Sequence, residues 1–197
     1  MTVALVDAGG ANIGSLSHAL RRLGVEARLT CDAGEIRAAG HVILPGVGAA
    51  APGMARLREH GLVEVIRCLT QPVLGVCLGM QLLFEHSEEG DTACLGILRG
   101  RLRRLGGDLR VPHMGWNGLR ILREDALLTG IDTGAFAYFV HSFAVPVGNA
   151  TLADCEYGSA FSALVRERNF SGAQFHPERS AAVGARLLRN FLEQRSC

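Results

Sequence analysis

Cys77 lies between two glycines in the string GVCLG, residues 75–79, and His176 lies two residues before Glu178 in QFHPE, residues 174–178. A thiol, an imidazole and a carboxylate are the side chains from which a nucleophile, a proton carrier and its orienting acid are built. The apolar run Val73 to Val76 leads into Cys77, and the helix formers Leu78, Met80, Gln81, Leu82 and Leu83 follow it. Strand, tight turn and helix in that order make a nucleophile elbow, where small flanking residues allow a strained turn that lifts the central side chain into a cleft. A helix N-terminus at that point favours thiolate over thiol and pulls a cysteine below its free value of about 8.5. The backbone N–H of Leu78 is then a candidate donor to an oxyanion. GVCLG by itself fits a buried structural cysteine in a glycine turn equally well.

In an extended QFHPE segment, residues two apart share a side, so His176 and Glu178 point into one cleft while Pro177 stiffens the backbone between them. QFHPE by itself also fits an exposed turn whose Glu178 favours the N-terminus of the next helix. Together the two strings supply nucleophile, base and orienting acid, and the triad becomes the stronger reading. The other six of the seven histidines are accounted for as solvated, capping or core residues. A third string, LPGVGAAAPG at 44–53, follows the apolar HVIL. Its Gly46-x-Gly48-x-x-Ala51 spacing is a weak dinucleotide fingerprint, because that fingerprint belongs to the first strand of its unit and Pro45 and Pro52 suit a loop better than a helix opening at the glycines. Beside an elbow, the Gly46, Val47, Gly48 loop can instead present a second N–H to an oxyanion and flip its peptide cheaply.

Positioning these residues needs a framework, and the hydrophobic pattern predicts an α/β one. Strand-like TVALVDA, VEARLT, HVILPG and PVLGVC alternate with helix-like segments over 12–23, 33–39, 54–68 and 78–85. Such alternation signals a parallel sheet wound with helices. Ile13, Leu16, Leu20 and Leu23 fall at helical spacing, as roughly do Met54, Leu57, Leu62, Val65 and Ile66, and both sets read as core stripes. Beyond about residue 97 the pattern turns strand-rich, with AFAYFVHSFAV and the imperfectly alternating FSALVRER, before a closing helix over 179–194. The expectation is one domain, 1–197, with a mixed, largely parallel, doubly wound sheet flanked by helices.

Composition narrows the class. With 197 residues the chain buries an adequate core without staples, and the six cysteines at 31, 68, 77, 94, 155 and 197 show no CxxC pair or zinc-type spacing. Reduced thiols, most of them buried as small hydrophobes, and no metal or cofactor are expected. A formal net charge of +1, locally basic only in RGRLRRLGGDLR at 99–110, argues against a nucleic-acid surface. No basic leader precedes the first apolar run and no stretch reaches the roughly 18 apolar residues of a membrane span, so a cytoplasmic protein is expected.

GVCLGMQLLFE combined with QFHPERS resembles the class I, triad-type glutamine amidotransferases, and VPHMGWN (111–117) with YFVHSF (138–143) is similar to the glutaminase subunits of imidazole glycerol phosphate synthases. The likeness runs from DAGGAN at 7–12 to HPERS at 176–180. It implies that Cys77, His176 and Glu178 hydrolyse glutamine through a glutamyl thioester. It further implies that ammonia passes to a separate (β/α)8-barrel cyclase subunit, which makes imidazole glycerol phosphate and AICAR in histidine biosynthesis. By the same resemblance, Gln81, Glu89 and the backbone at Ser142 and Phe143 contact glutamine, while Trp116, Tyr138 and Asn12 lie toward the cyclase. Asn12 also reads as a cap for the helix beginning near Ile13. The chain departs from the family pattern at Ala11, where a glycine is common, and at Phe143, where a tyrosine is frequent. A glutaminase serving another synthase, a cysteine peptidase and a non-enzymatic α/β binding module are the competing readings, and PHMGWN speaks against the first.

Overall fold

The computed structural model describes residues 2–7, 13–106 and 109–194 of the protein. Asn12 and Ala11 lie outside the described residues. The first half alternates as its pattern predicts: β1 (Val3–Val6), α1 (Ile13–Arg22), β2 (Ala27–Thr30), α2 (Ala33–Ala38), β3 (His41–Leu44), α3 (Ala50–Glu59), α4 (Leu62–Arg67), β4 (Val73–Val76) and α5 (Leu78–Leu82). Short strands follow: β5 (His86–Ser87), β6 (Thr92–Ala93), β7 (Arg101–Arg104), β8 (His113–Gly118), β9 (Arg120–Ile121), β10 (Phe136–His141) and β11 (Phe143–Ala144). Three longer strands, β12 (Thr151–Tyr157), β13 (Ser159–Glu167) and β14 (Phe170–Ala173), precede the closing helix α6 (Ala181–Leu192).

The main sheet has eight strands in the order β2-β1-β3-β4-β14-β13-β12-β9. From β2 to β14 every pairing is parallel, and from β14 to β9 every pairing is antiparallel. Helices cover both faces, and strand alternation divides the core accordingly. Val3 and Leu5 of β1 pack with Leu16 and Leu20 of α1 and Leu188 and Phe191 of α6, whereas Ala4 and Val6 pack with Ile36, Met54, Leu57 and Ile66 of α2, α3 and α4. In β13 residues Phe161 to Val165 are all buried, which is why its alternation is imperfect: both faces of that strand are covered.

Three predicted elements differ in detail. The helix expected over 54–68 begins earlier, at Ala50, and is broken in two at Gly61, whose φ of 65° is left-handed. Pro52 therefore sits inside the first turn of α3 rather than in a loop, at a position where a helix needs no N–H donor. The helix after Cys77 ends at Leu82 instead of 85, because Phe84 bonds back only three residues to Gln81 and Glu85 turns away to Gly100. The closing helix starts at Ala181, preceded by a separate 3-10 turn, Pro177–Arg179. A two-stranded ribbon of β8 and β10 and a small four-stranded sheet, β11-β7-β5-β6, are added around the carboxyl ends of the central strands. No helix among the described residues is long and apolar enough to cross a membrane.

Candidate active site

Cys77 occupies the step between β4 and α5, with φ 53° and ψ −110°. A non-glycine residue in that region is strained, and its neighbours must over-determine it. They do so by hydrogen bonds from the Cys77 N–H to Ala173 O (2.8 Å) and from the Gln81 N–H to Cys77 O (3.1 Å). The flanking glycines serve a purpose other than the turn itself. A Cβ on Gly79 would overlap the carbonyl oxygen of Leu44 in β3, and one on Gly75 would stand 2.6 Å from the Met80 nitrogen. The strain sits on the cysteine, and the glycines let α5 lie directly against β3 and β4.

His176 and Glu178 meet as expected but by a different route. His176 is extended (φ −96°, ψ 99°), and the Pro177–Arg179 3-10 turn, not a continuous extended segment, brings Glu178 Oε1 to 2.9 Å from His176 Nδ1. The two side chains are only 7% and 3% exposed. The His176 N–H donates to Tyr138 O in β10 at 2.9 Å, and the Ser180 hydroxyl donates to His176 O at 2.7 Å. Burial by itself would lower the imidazole pKa, yet hydrogen bonding and attraction to Cys77 and Glu178 outweigh it and hold His176 up to about 10. Nδ1 being committed to Glu178, the opposite ring nitrogen is the one that serves Cys77.

The remaining cysteines differ from Cys77. Cys94 and Cys155 are buried, and burial pushes their thiols up to about 11 and about 12. Cys31 and Cys68 are exposed, so three of the five described cysteines, Cys77 among them, are buried, in keeping with the expectation for most of them.

A cavity of about 250 Å3 opens over Cys77 and His176. Val47 and Gly48 line one side with Leu78, and Gln81, Glu89, Ser142 and Phe143 line others, so the predicted glutamine contacts converge here. Glu89 Oε2 also accepts from the Ala50 N–H at 2.8 Å, which ties it to the N-terminus of α3. Trp116 and Tyr138 are not in the cavity. They oppose each other on the outer side of the β8–β10 ribbon, with ring centroids 5.9 Å apart, beside exposed Met114 and Phe136.

The expected oxyanion donors are arranged differently from the sequence reading. The Leu78 N–H is already bonded, to Gly46 O at 3.3 Å. The loop at 46–48 thus turns a carbonyl toward the Leu78 N–H, where the sequence reading expected a second donor. Gly46 packs so close that a Cβ would lie 2.9 Å from Leu78 Cβ, and Gly48 has a left-handed φ of 97°.

Four further residues belong to the cavity or touch Cys77, and all four lie in the strings VPHMGWN, YFVHSF and QFHPE without standing out there as site residues. Pro112, Val140 and His141 line the cavity, and the carbonyl of Val140 accepts from Cys77 Sγ at 3.7 Å. Gln174, wholly buried, directs Nε2 at Cys77 Sγ (3.9 Å) and accepts from Gln81 Nε2 (3.0 Å). The signal for Gln174 was its place in QFHPE, two residues before His176.

Comparison with known proteins identifies the family. The family profile "Glutamine amidotransferase class-I" matches residues 4–195. The chain is 60% identical over 193 residues to "Imidazole glycerol phosphate synthase subunit HisH" of Xylella fastidiosa, covering 97% of this chain and 96% of the relative. The HisH subunit of Xanthomonas euvesicatoria is likewise 60% identical over 97% of this chain and 96% of its own. Among solved structures, a crystal structure of a glutamine amidotransferase superposes with TM-score 0.76 at 23% identity, covering 97% of each chain. PurLQS from Thermotoga maritima gives 0.73 at 18%, again covering 97% of each. The structures speak for the fold and the sequences for the branch: the chain belongs to the class-I glutamine amidotransferases, among the HisH subunits of imidazole glycerol phosphate synthase.

Proposed function

We propose that this chain is the glutaminase half of the synthase, that it works through Cys77, His176 and Glu178, and that the whole of 1–197 acts as one domain in the cytoplasm. The observation that carries the reading is a buried imidazole held between Glu178 (2.9 Å) and the Cys77 sulfur at the floor of the cavity. Cys77 thiolate attacks the side-chain amide carbon of glutamine, forming a C–S bond and a tetrahedral oxyanion. His176 gives its proton to the departing nitrogen, the C–N bond breaks, and ammonia leaves a glutamyl thioester. His176 then takes a proton from water as the water attacks that thioester. The thiolate departs and glutamate is released. Glu178 keeps the ring in the required tautomer and stabilises its charged form throughout.

The oxyanion needs the loop to move. Rotating the peptide between Gly46 and Val47 withdraws the carbonyl from the Leu78 N–H and turns the Val47 N–H toward the same place, giving two donors where there were none. The glycine at 46 makes that rotation inexpensive. The resting arrangement accounts for a glutaminase that waits for its partner: the cyclase, carrying its ligand, favours the flipped loop and raises the rate. That partner is a (β/α)8-barrel, and it seats on the aromatic outer side of the ribbon, with Trp116 and Tyr138 as anchors. No cofactor takes part. Incubation with a diazoketone analogue of glutamine, followed by mass spectrometry, should give one label per chain on Cys77 in the complex. Labelling of the exposed Cys31 or Cys68 instead would return Cys77 to a structural role.

A further inference from the structure

Behind the cavity wall runs a chain of hydrogen bonds that the steps above do not use. His113 and His141 pair across β8 and β10 on the ribbon's inner side, the side opposite Met114 and Trp116. The direction of each bond is forced by the groups at its ends. The carbonyl of Phe143 can only accept, so His141 Nδ1 donates to it at 2.9 Å. In a neutral ring Nε2 is then an acceptor, and His113 Nδ1 donates to it at 3.0 Å. His113 Nε2 accepts in turn from Asn117 Nδ2 at 3.3 Å. Asn117 is itself oriented by backbone, because its Oδ1 accepts from the Gly118 N–H (2.8 Å) and its Nδ2 also donates to Glu156 O (2.9 Å).

At the inner end a second set of bonds meets the first at the Phe143 oxygen. Gln81 Nε2 donates to Phe143 O at 2.9 Å and to Gln174 Oε1 at 3.0 Å, which leaves Gln174 Nε2 directed at Cys77 Sγ. Both rings are buried, and His113 is stacked between Phe139 and Tyr157, at centroid distances of 5.1 and 4.1 Å. Burial lowers the pKa of each imidazole, His141 to about 4, so both are neutral at pH 7 as the bond directions require.

We propose that Asn117, His113 and His141 are positioning residues: starting behind the exposed face of the ribbon, their bonds fix the place of the Phe143 carbonyl, which also accepts from Gln81 Nε2 and so holds Gln81 and Gln174 with a hydrogen-bond donor directed at the Cys77 sulfur. The proposal rests on Cys77 being the attacking thiol. Reversing either ring would set a buried donor against a donor and an acceptor against an acceptor, so the orientation fixed at Asn117 holds the Phe143 carbonyl, and with it the Gln81 amide, in one place. A partner that shifts β8 from outside therefore moves His113 and, with it, the donor offered to the thiolate.

The test compares His113→Leu, which removes the donor to His141, with His113→Asn, whose amide N–H can occupy the place of Nδ1–H. For each in complex with the cyclase subunit, kcat and KM for glutamate release are measured, together with the thermal midpoint and imidazole 15N NMR of the wild type. These bonds predict Nδ1–H tautomers for both histidines, a kcat about tenfold lower in His113→Leu, and recovery of most of that loss in His113→Asn at an equal midpoint. It is overturned by Nε2–H tautomers, by a folded His113→Leu turning over at the wild-type kcat, or by His113→Asn as slow as the leucine variant. Wild type that releases no glutamate would fail the glutaminase reading, and the tautomers would still decide for or against the positioning role. Should His113→Leu not fold, the asparagine variant and the spectra decide.

Discussion

Glu178 touches no reacting atom, yet its removal should be costly, because it fixes the tautomer and charge of a buried ring at 2.9 Å. Glu178→Gln is expected to lower kcat for glutamate release by at least about a hundredfold with the complex intact; a loss below about fivefold would remove Glu178 from the triad. The pH profile carries the same information. With His176 held up to about 10, the alkaline limb of kcat/KM should fall toward pH 10 rather than near 6.5, and Glu178→Gln should move it downward. Stability has the same sign: the raised pKa contributes fully below about 6.5 and is lost as pH climbs through about 10. His141 acts oppositely. Its pKa is lowered to about 4 by burial and by the nearby charges of His113 and His176, against a raising bond to Phe143. Between pH 6.5 and 4 the unfolded chain binds a proton there that the folded chain refuses, so stability falls on acidification across that window and is flat from this source below it. Thermal midpoints measured from pH 7 to 4 should show that slope, reduced in His141→Asn; an unchanged slope would contradict a neutral buried His141. At this scale Cys77, His176 and Glu178 are legible in sequence because each motif is local. Gln174 and His141 are not, since their partners lie at sequence separations of 97 and 28 residues and only folding brings them together.

The elbow tolerates no side chain where α5 meets the sheet. Gly79→Ala drives a Cβ into the Leu44 carbonyl and Gly184→Ala drives one into the Pro177 carbonyl, so both should cost more than about 4 kcal/mol or prevent folding. Gly61→Ala, at φ 65° in open space, should cost only about 1 kcal/mol. Urea unfolding of the three variants checks the ranking, and a mild Gly79→Ala would contradict the close approach described here. The same glycines mark what periodicity conveys and what it omits. Apolar spacing at the helical repeat locates α1 and α6, and short continuous apolar runs locate β1, β3 and β4, which are buried at every residue. It runs through Gly61 without registering the break between α3 and α4, because a left-handed residue leaves the apolar stripe uninterrupted. It also gives no account of β8 or β12, whose partners β10, β9 and β13 are set by the sheet rather than by local pattern.

Across the whole molecule, the ribbon of β8 and β10 joins two environments. Its outer side shows Met114, Trp116 and Phe136, 52–62% exposed, and its inner side carries His113, Phe139 and His141 against the site. If the cyclase seats on this aromatic patch, as proposed, Trp116→Ala should weaken association with it by about 2 kcal/mol, roughly thirtyfold in Kd, with the thermal midpoint unchanged. Titration calorimetry would show it, and unaltered affinity would place the interface elsewhere. The fold class was readable from strand and helix alternation, and the partner only from the strings PHMGWN and YFVHSF. No physical pattern in a sequence states what a second chain will cover. The central claim is that a thiol-dependent glutaminase waits, with Gly46 blocking its oxyanion donor, for a loaded partner. Glutamate release from glutamine by wild type and Cys77→Ala, each with and without the cyclase subunit and its nucleotide substrate, tests it most directly. The account predicts release that is slow in the isolated chain, faster by about a hundredfold or more in the loaded complex, and absent in Cys77→Ala throughout; full activity in the isolated chain, or any sustained turnover by Cys77→Ala, would contradict it.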